Sequence, residues 1–219
     1  MGRALRISLV VFLGGAAAGA FPLEFTVRGG SRITRDRFAG EQVLSGGGQT
    51  MIGTIVSENI GGYCLEAECA VTALGRWTPF LATGWSFDRS VLRDVSASQY
   101  LRSRGVLLLA GVSRSFGAVF TDVALSAGAG FEWETVESQT PYFGVTRFSS
   151  GAVFSSDAPV AAAGVSLDAP LFGPVWTTAS YRYLHKLAVA RTVDGYCAEY
   201  EFTPRRHRHY LMVGLSFRP

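Results

Sequence analysis

Residues 119–134, VFTDVALSAGAGFEWE, decide the fold, because their side chains alternate between two kinds of surface. One set of alternate positions is mainly apolar and ends in two aromatic residues: Val119, Thr121, Val123, Leu125, Ala127, Ala129, Phe131 and Trp133. The other set is mainly small or acidic: Phe120, Asp122, Ala124, Ser126, Gly128, Gly130, Glu132 and Glu134. A period of two indicates a β-strand with two different faces, and this segment is long enough to cross a bilayer at a tilt.

Seven other segments show the same alternation and have about the length that a tilted membrane strand needs. They are residues 23–28, 63–73, 81–88, 104–114, 161–168, 175–183 and 210–218. Segment 104–114 alternates least well, since Leu107, Leu108 and Leu109 are all apolar. Together the eight segments predict an all-β chain.

The connections between these segments alternate in length. The short ones are residues 74–78, 114–118 and 169–174, and the long ones are residues 33–62, 89–103, 135–159 and 187–205. Short turns on one side and long loops on the other are typical of an up-and-down outer-membrane barrel, with both termini on the periplasmic side. We interpret residues 49–57 as a hairpin extension of the first long loop, because a ninth strand would put the termini on opposite sides.

The composition excludes several classes of protein. Hydrophobic residues make up 48% of the 219 residues and charged residues 17%, which is unlike a disordered chain. The net charge of +3 is too small to suggest nucleic-acid binding, and three cysteines are too few for a disulfide scaffold. We therefore expect one folded domain and no nucleic-acid partner.

The first twenty residues have the parts of a secretory signal peptide. Arg3 and Arg6 precede an apolar stretch, residues 7–13, and Ala18 and Ala20 fit the small-residue rule for cleavage. The apolar stretch is too short for a transmembrane helix. The sequence therefore predicts a signal peptide at residues 1–20 and an exported domain at residues 21–219.

A soluble β-sandwich would show the same alternation, so the choice between sandwich and barrel depends on other patterns. The small-residue face carries charges along most strands, the apolar face carries almost none, and aromatic residues lie toward strand ends. Those aromatics suit the girdles of a membrane barrel. We predict an eight-stranded antiparallel up-and-down transmembrane β-barrel in the bacterial outer membrane.

Two segments carry a resemblance to a known class of proteins. The opening LEFTVRGG, residues 23–30, and the closing YLMVGLSF, residues 210–217, together with the signal peptide, resemble the small outer-membrane barrels: the OmpA transmembrane domain, OmpX and opacity-type proteins. The closing strand resembles the assembly signal of this class, although Arg218 and Pro219 follow its aromatic residue. The resemblance implies outer-membrane lipid and the barrel-assembly machinery as partners. It also implies a structural, adhesive or surface-interaction role, carried by four external loops that contact an extracellular or host ligand.

The charged residues of the small-residue face are predicted to point into the barrel. They are Glu24, Arg28, Glu66, Glu68, Asp122, Glu132, Glu134 and Arg182, with Lys186, Arg206 and Arg208 as further cations. Side chains fill the inside of an eight-stranded barrel, so we expect these charges to pair and plug it. The alternative is a narrow polar pore. The poor alternation of segment 104–114 also leaves open an OmpW-like channel or carrier for small, including hydrophobic, molecules.

The histidines form a second candidate site. His207 and His209 are two residues apart on a strand, so they share a side, which we predict to be the outer wall near the external rim. With Arg205 they are candidates for contact with lipid headgroups. His185 faces the same way, so a metal site is an alternative, but the surrounding arginines disfavour a divalent cation. An amphipathic interfacial belt is the simplest interpretation.

Two further expectations concern cysteine chemistry and catalysis. Cys64 and Cys197 lie near loops that adjoin when the barrel closes, so they form either an external disulfide or, with Cys69, three free thiols. Outer-membrane lipid hydrolases need a His and a Ser on the outer wall, and His207 has His209 where that Ser would stand. We therefore predict no enzymatic activity and no cofactor.

Overall fold

The structure is a computed structural model. It describes residues 22–33, 37–43, 50–71, 77–93, 98–117, 121–139, 153–187, 191–195, 198–203 and 207–218. Side chains are described for residues 22–33, 61–71, 77–91, 100–117, 121–137, 155–187 and 207–218. The predicted signal peptide, residues 1–20, lies outside the described residues and stays a prediction. No helix long and apolar enough to span a membrane occurs in the described part of the chain.

The described secondary structure consists of β-strands. In chain order they are β1 (Leu23–Ile33), β2 (Arg37–Val43), β3 (Thr50–Val71), β4 (Thr78–Arg93), β5 (Ser98–Gly117), β6 (Asp122–Gln139), β7 (Val153–Ser155), β8 (Ala158–Phe172), β9 (Val175–Lys186), β10 (Arg191–Gly195), β11 (Ala198–Thr203) and β12 (His207–Phe217).

Eight of these strands close into a barrel. Around the wall they run β1, β3, β4, β5, β6, β8, β9 and β12, and β12 pairs with β1 to complete the ring. All the pairings are antiparallel. The predicted fold class, an all-β eight-stranded antiparallel up-and-down barrel, is confirmed.

The two ends of the barrel differ. At one end, which we call the turn end, the connections are residues 72–77, 118–121 and the tight turn at Gly173 and Pro174, where Gly173 has a φ of 51°. The start of β1 and the end of β12 lie there too. At the other end, the loop end, β2 pairs with residues 50–56 of β3 and with β11, and β10 pairs with β11. The hairpin extension predicted at residues 49–57 is therefore present.

The strands are longer at the loop end than the sequence predicted. Most of residues 89–103, predicted to be a loop, belong to β4 and β5, whose pairing runs without interruption from Thr78 opposite Ser113 to Arg93 opposite Ser98. The reason is that alternation continues there, with Leu101 and Ser103 buried on the inner face of β5. β5 continues to Gly117, through most of the turn predicted at residues 114–118, and the strand predicted from Val119 begins at Asp122.

The three consecutive leucines of β5 alternate between the inner and outer faces, as side chains on a β-strand do. Leu107 and Leu109 point inward, with 7% and 0% of their surface exposed, and Leu108 points outward with 44% exposed. The inner pair belongs to a cluster of buried apolar side chains that includes Phe80, Leu184 and Met212. The lumen therefore contains apolar side chains as well as charged ones.

Gly30 marks a point where neighbouring backbones leave no space for a side chain. A Cβ at Gly30 would meet the carbonyl oxygen of Leu211 and lie 2.7 Å from the Met212 Cα, whereas a Cβ at Gly29 would lie 3.7 Å from its nearest atom. We expect Gly30→Ala to lower the free energy of unfolding by about 1–3 kcal/mol, since the backbone must shift. Gly29→Ala is the matched control and should be neutral or slightly stabilising. Urea unfolding in detergent micelles measures both, and equal midpoints for the two variants would contradict the close approach.

Candidate functional site

The lumen contains three layers of paired charges, and the first lies at the turn end. Arg218, just after β12, bonds to Glu24 at 2.9 Å, Asp168 at 2.8 Å and Asp122 at 3.1 Å. Burial alone would lower the pKa of Arg218, but the carboxylates of Glu24 and Asp168 hold it above its usual value. One cation therefore ties together β1, β6 and β8 at this end.

The middle layer is a compact group of two arginines and two glutamates. Arg28 of β1 donates to Glu66 at 2.9 Å and to Glu68 at 2.8 Å. Arg182 of β9 also donates to both, with Glu68 at 3.0 Å. Because each arginine bridges both carboxylates, the two charges of each sign balance within the layer.

The layer nearest the loop end combines three cations and three carboxylates. They are Arg32, Asp88, Glu132, Glu134, Lys186 and Arg208, and each of their side chains is at most 6% exposed. Glu134 accepts hydrogen bonds from Arg208 Nη2 at 2.6 Å and Lys186 Nζ at 2.9 Å. Arg32 donates to Glu134 at 3.0 Å and lies 2.7 Å from Asp88. Buried charges with this many partners are held in fixed positions.

The structure thus brings all eight of the predicted lumenal residues inside the barrel, each within one of the three layers. Arg32, Asp88, Asp168 and Arg218 were missing from the predicted network. The first segment was predicted to end at Arg28, four residues before Arg32. Arg28, Gly30 and Arg32 occupy alternate positions on one strand and so share a face. Because Arg28 was predicted to point inward, this spacing identifies Arg32 as a cation that faces the lumen. Arg206, also predicted to lie inside, falls outside the described residues.

Little space remains between the layers. The cavity beside Glu66, Ser86, Leu107 and Tyr210 has a volume of about 10 Å³. A second cavity, at the turn end beside Arg182 and Arg218, has about 50 Å³. Cavities of this size hold one to a few water molecules.

The histidines lie on the outer wall at the loop end. The Tyr181 hydroxyl and His209 Nδ1 are 2.7 Å apart, and the Tyr183 hydroxyl bonds to Nδ1 of His207 in the same way. His185 lies directly opposite His207, with 5.1 Å between ring centroids. The rings form an aromatic and imidazole strip on β9 and β12, which suits an interface between apolar and aqueous surroundings. Arg205 lies outside the described residues, so headgroup contact by Arg205, His207 and His209 stays a proposal.

Other chemistry finds little support in the described part of the chain. No group of three or more His, Cys, Asp or Glu side chains is arranged there to hold a metal ion. Cys64 is a buried free thiol that faces the lumen, and Cys69 is a free thiol on the outer wall. Cys64 therefore points into the barrel, whereas the disulfide predicted with Cys197 would lie outside it. Because Cys197 lies outside the described residues, that disulfide stays a prediction.

No protein-family model matches the chain, and no curated protein sequence matches it. Several solved structures do share its fold. The outer membrane protein OprG from Pseudomonas aeruginosa superposes with a TM-score of 0.58 at 12% identity, covering 92% of this chain and 99% of that one. A major outer membrane protein from Thermus thermophilus gives 0.57 at 12%, covering 90% and 99%.

The outer membrane protease OmpT from Escherichia coli gives a TM-score of 0.50 at 7% identity, covering 90% of this chain and 97% of that one. Identities this low carry no information about ligands or activity, but the agreement extends over nearly the whole length of each chain. Together with the closed ring, the outward apolar wall and the charged lumen, it shows that this chain has the fold of the small bacterial outer-membrane β-barrels.

Proposed function

We propose that the chain is an integral protein of the bacterial outer membrane whose barrel is closed to solutes. Its structural, adhesive or surface-interaction role is then carried at the loop end, which faces outside. Outer-membrane lipid surrounds the wall, and the barrel-assembly machinery inserts the chain. The apolar outer wall supports this location, since Val27, Leu65, Val213 and Leu215 are each at least half exposed.

The observation that carries the proposal is the layer of buried charges nearest the loop end. Its side chains come from five of the eight barrel strands: β1 supplies Arg32, β4 Asp88, β6 Glu132 and Glu134, β9 Lys186 and β12 Arg208. Because they meet at one level with almost no exposed surface, they fill the cross-section. A solute could pass only if several buried ion pairs separated together, at high cost in free energy.

The loop end offers the surface for interaction. There β2, the start of β3, β11 and β10 form a sheet that extends the barrel wall beyond the closed ring. Rigid scaffolds with variable connections at one end commonly bind through those connections. The extended sheet therefore supports a role in contact with an extracellular or host ligand.

We also propose that the chain has no enzymatic activity. OmpT shares this fold and is a protease, so the fold itself is compatible with catalysis. In this chain the described partners of His207 and His209 are tyrosine hydroxyls and neighbouring rings, not a serine and a carboxylate. That arrangement supports a non-enzymatic role.

Planar-bilayer recording tests the closed lumen. The purified, refolded protein should insert and shift in gel mobility on boiling, yet produce no conductance steps above those of detergent alone. Liposomes that contain the protein should swell in small sugars no faster than empty ones. Stepwise conductance from the unaltered protein, or accelerated entry of a small apolar dye, would favour the alternative of a narrow OmpW-like channel or carrier.

A further inference from the structure

A basic and aromatic concavity lies on the outer wall of β3, β4 and β5, toward the loop end. It has a volume of about 480 Å³ and is lined by Gly61, Tyr63, Phe87, Arg89, Arg102 and Arg104, with Asp88 behind them. We call this concavity the arginine rim. It is separated from the strip of histidines by half the circumference, since β4 and β5 lie opposite β9 and β12 in the ring.

The three arginines point away from the lumen. Asp88 and Ser103, which alternate with them along β4 and β5, are buried inside with 6% and 8% exposed. The carboxylate of Asp88 is turned inward onto Arg32, at 2.7 Å. Arg89, Arg102 and Arg104 therefore occupy the opposite face, which is the outer wall.

The arginines are close to one another and poorly neutralised. Arg89 stands directly opposite Arg102 on the neighbouring strand, and like charges in that position repel. Among residues with described side chains, the ion pair at the rim joins Arg104 to Glu137 at 3.6 Å, with 41% and 32% of those side chains exposed. No residue with a described side chain forms an ion pair with Arg89 or Arg102. Within the described part of the wall, three cations thus face one weakly held carboxylate, so a bound anion would relieve the repulsion.

The surroundings of the rim follow the profile of a bilayer. Toward the turn end the outer wall is apolar, with Leu65 and Leu108 half exposed. Next come Tyr63 and Phe87, whose rings stack with centroids 5.1 Å apart. Arg104 stands opposite Phe87, at the level of the aromatic pair, and Arg89 and Arg102 lie two residues further toward the loop end. This order of apolar, aromatic and basic side chains matches the order of the hydrocarbon core, the interface and the headgroup region in a bilayer.

Gly61 provides the depth of the concavity. The pairing of β3 with β4 shifts between Asn59 and Gly61, which makes a bulge beside Arg89. A Cβ placed on Gly61 would have no heavy atom within 4 Å. The bulge and the missing side chain leave room above the aromatic pair for a group the size of a phosphate.

We propose that the arginine rim binds the phosphate of a lipid headgroup in the outer leaflet. Guanidinium groups bind phosphate oxygens in bidentate fashion, and three of them surround one open space here. The acyl chains of the lipid lie along Leu65 and Leu108, and its polar part rests on Tyr63 and Phe87. The proposal rests on the proposed membrane location and adds a specific lipid site to it.

Calorimetric titration of the full barrel in detergent tests this site. The probes are short-chain phosphatidic acid, short-chain phosphatidylcholine and inorganic phosphate at equal ionic strength. The unaltered protein should bind phosphatidic acid more tightly than the other two, and higher salt should weaken that binding. Replacing Arg89, Arg102 and Arg104 by glutamine should weaken it by on the order of tenfold or more, since charge-assisted hydrogen bonds are lost.

Two controls make the result specific. Arg114→Gln removes an arginine from the turn end of β5, where it lies over the rings of Trp77 and Phe116 and outside the concavity, and it should leave phosphatidic acid binding unchanged. The triple arginine variant should keep its heat-modifiable gel mobility and unfold no more easily without lipid, because the repulsion that it removes outweighs the one exposed ion pair.

Equal phosphatidic acid affinity in the triple variant and the unaltered protein would overturn the proposal. Inorganic phosphate binding as tightly as phosphatidic acid would also overturn it, because the site would then recognise a free anion. Failure to insert into vesicles at all would instead contradict the membrane location, so the two proposals fail in different ways.

Discussion

Glu134→Gln is expected to lower the free energy of unfolding by about 3–5 kcal/mol, the largest effect of any single polar substitution in the lumen. Glu134 is 3% exposed and accepts hydrogen bonds from Arg208, Lys186 and Arg32. Glutamine keeps the size of the side chain but removes its charge. Three buried cations then share only Asp88 and Glu132, and the uncompensated charge destabilises the folded barrel. Urea unfolding in phospholipid vesicles, followed by tryptophan fluorescence, measures the loss.

Glu137→Gln is the matched control for this experiment. Glu137 lies on the same strand three residues further along, on the outer wall, where its pair with Arg104 is partly exposed. Partly exposed pairs contribute little, so we expect a change below about 1 kcal/mol. Adding Lys186→Met to Glu134→Gln removes one cation and should restore part of the lost stability, which a double-mutant cycle quantifies. If Glu134→Gln and Glu137→Gln unfold at the same urea concentration, the buried layer does not stabilise the barrel.

The fold was largely predictable from the sequence, because membrane strands show their two faces directly. Residues 119–134 carry both an apolar and a polar set, and the structure turns Leu125 outward and Glu132 inward as that pattern requires. Turn positions were less predictable. Residues 114–121, RSFGAVFT, have large apolar residues at both odd and even positions, so alternation alone does not mark where one strand ends and the next begins.

The candidate sites were predictable only in part, for a different physical reason. Inward charges such as Glu66 and Arg182 are visible from parity along one strand. Which charges meet depends on the register between strands, and a single sequence does not show register. Arg89, Arg102 and Arg104 were predicted to lie in a loop or at a strand end, so their meeting on one wall was missed. It depends on the uninterrupted pairing of β4 with β5 up to Arg93 and Ser98.

Val213→Arg is expected to lower the free energy of unfolding in phospholipid vesicles by roughly 2–4 kcal/mol, because it places a charge in the hydrocarbon. Val213 lies midway along β12 and is 67% exposed on the outer wall, while its neighbour Met212 is 4% exposed and faces the lumen. Phe217→Arg, on the same strand and the same wall but at the turn end, is the matched control. Near the interface the cost falls to about 0–1 kcal/mol, and Leu215→Arg should give a value between the two. This graded order depends on a surrounding bilayer, since water would solvate an arginine equally well at each position. Equal stabilities for the three variants in vesicles would therefore show that the apolar wall faces water, and the membrane location would have to be abandoned.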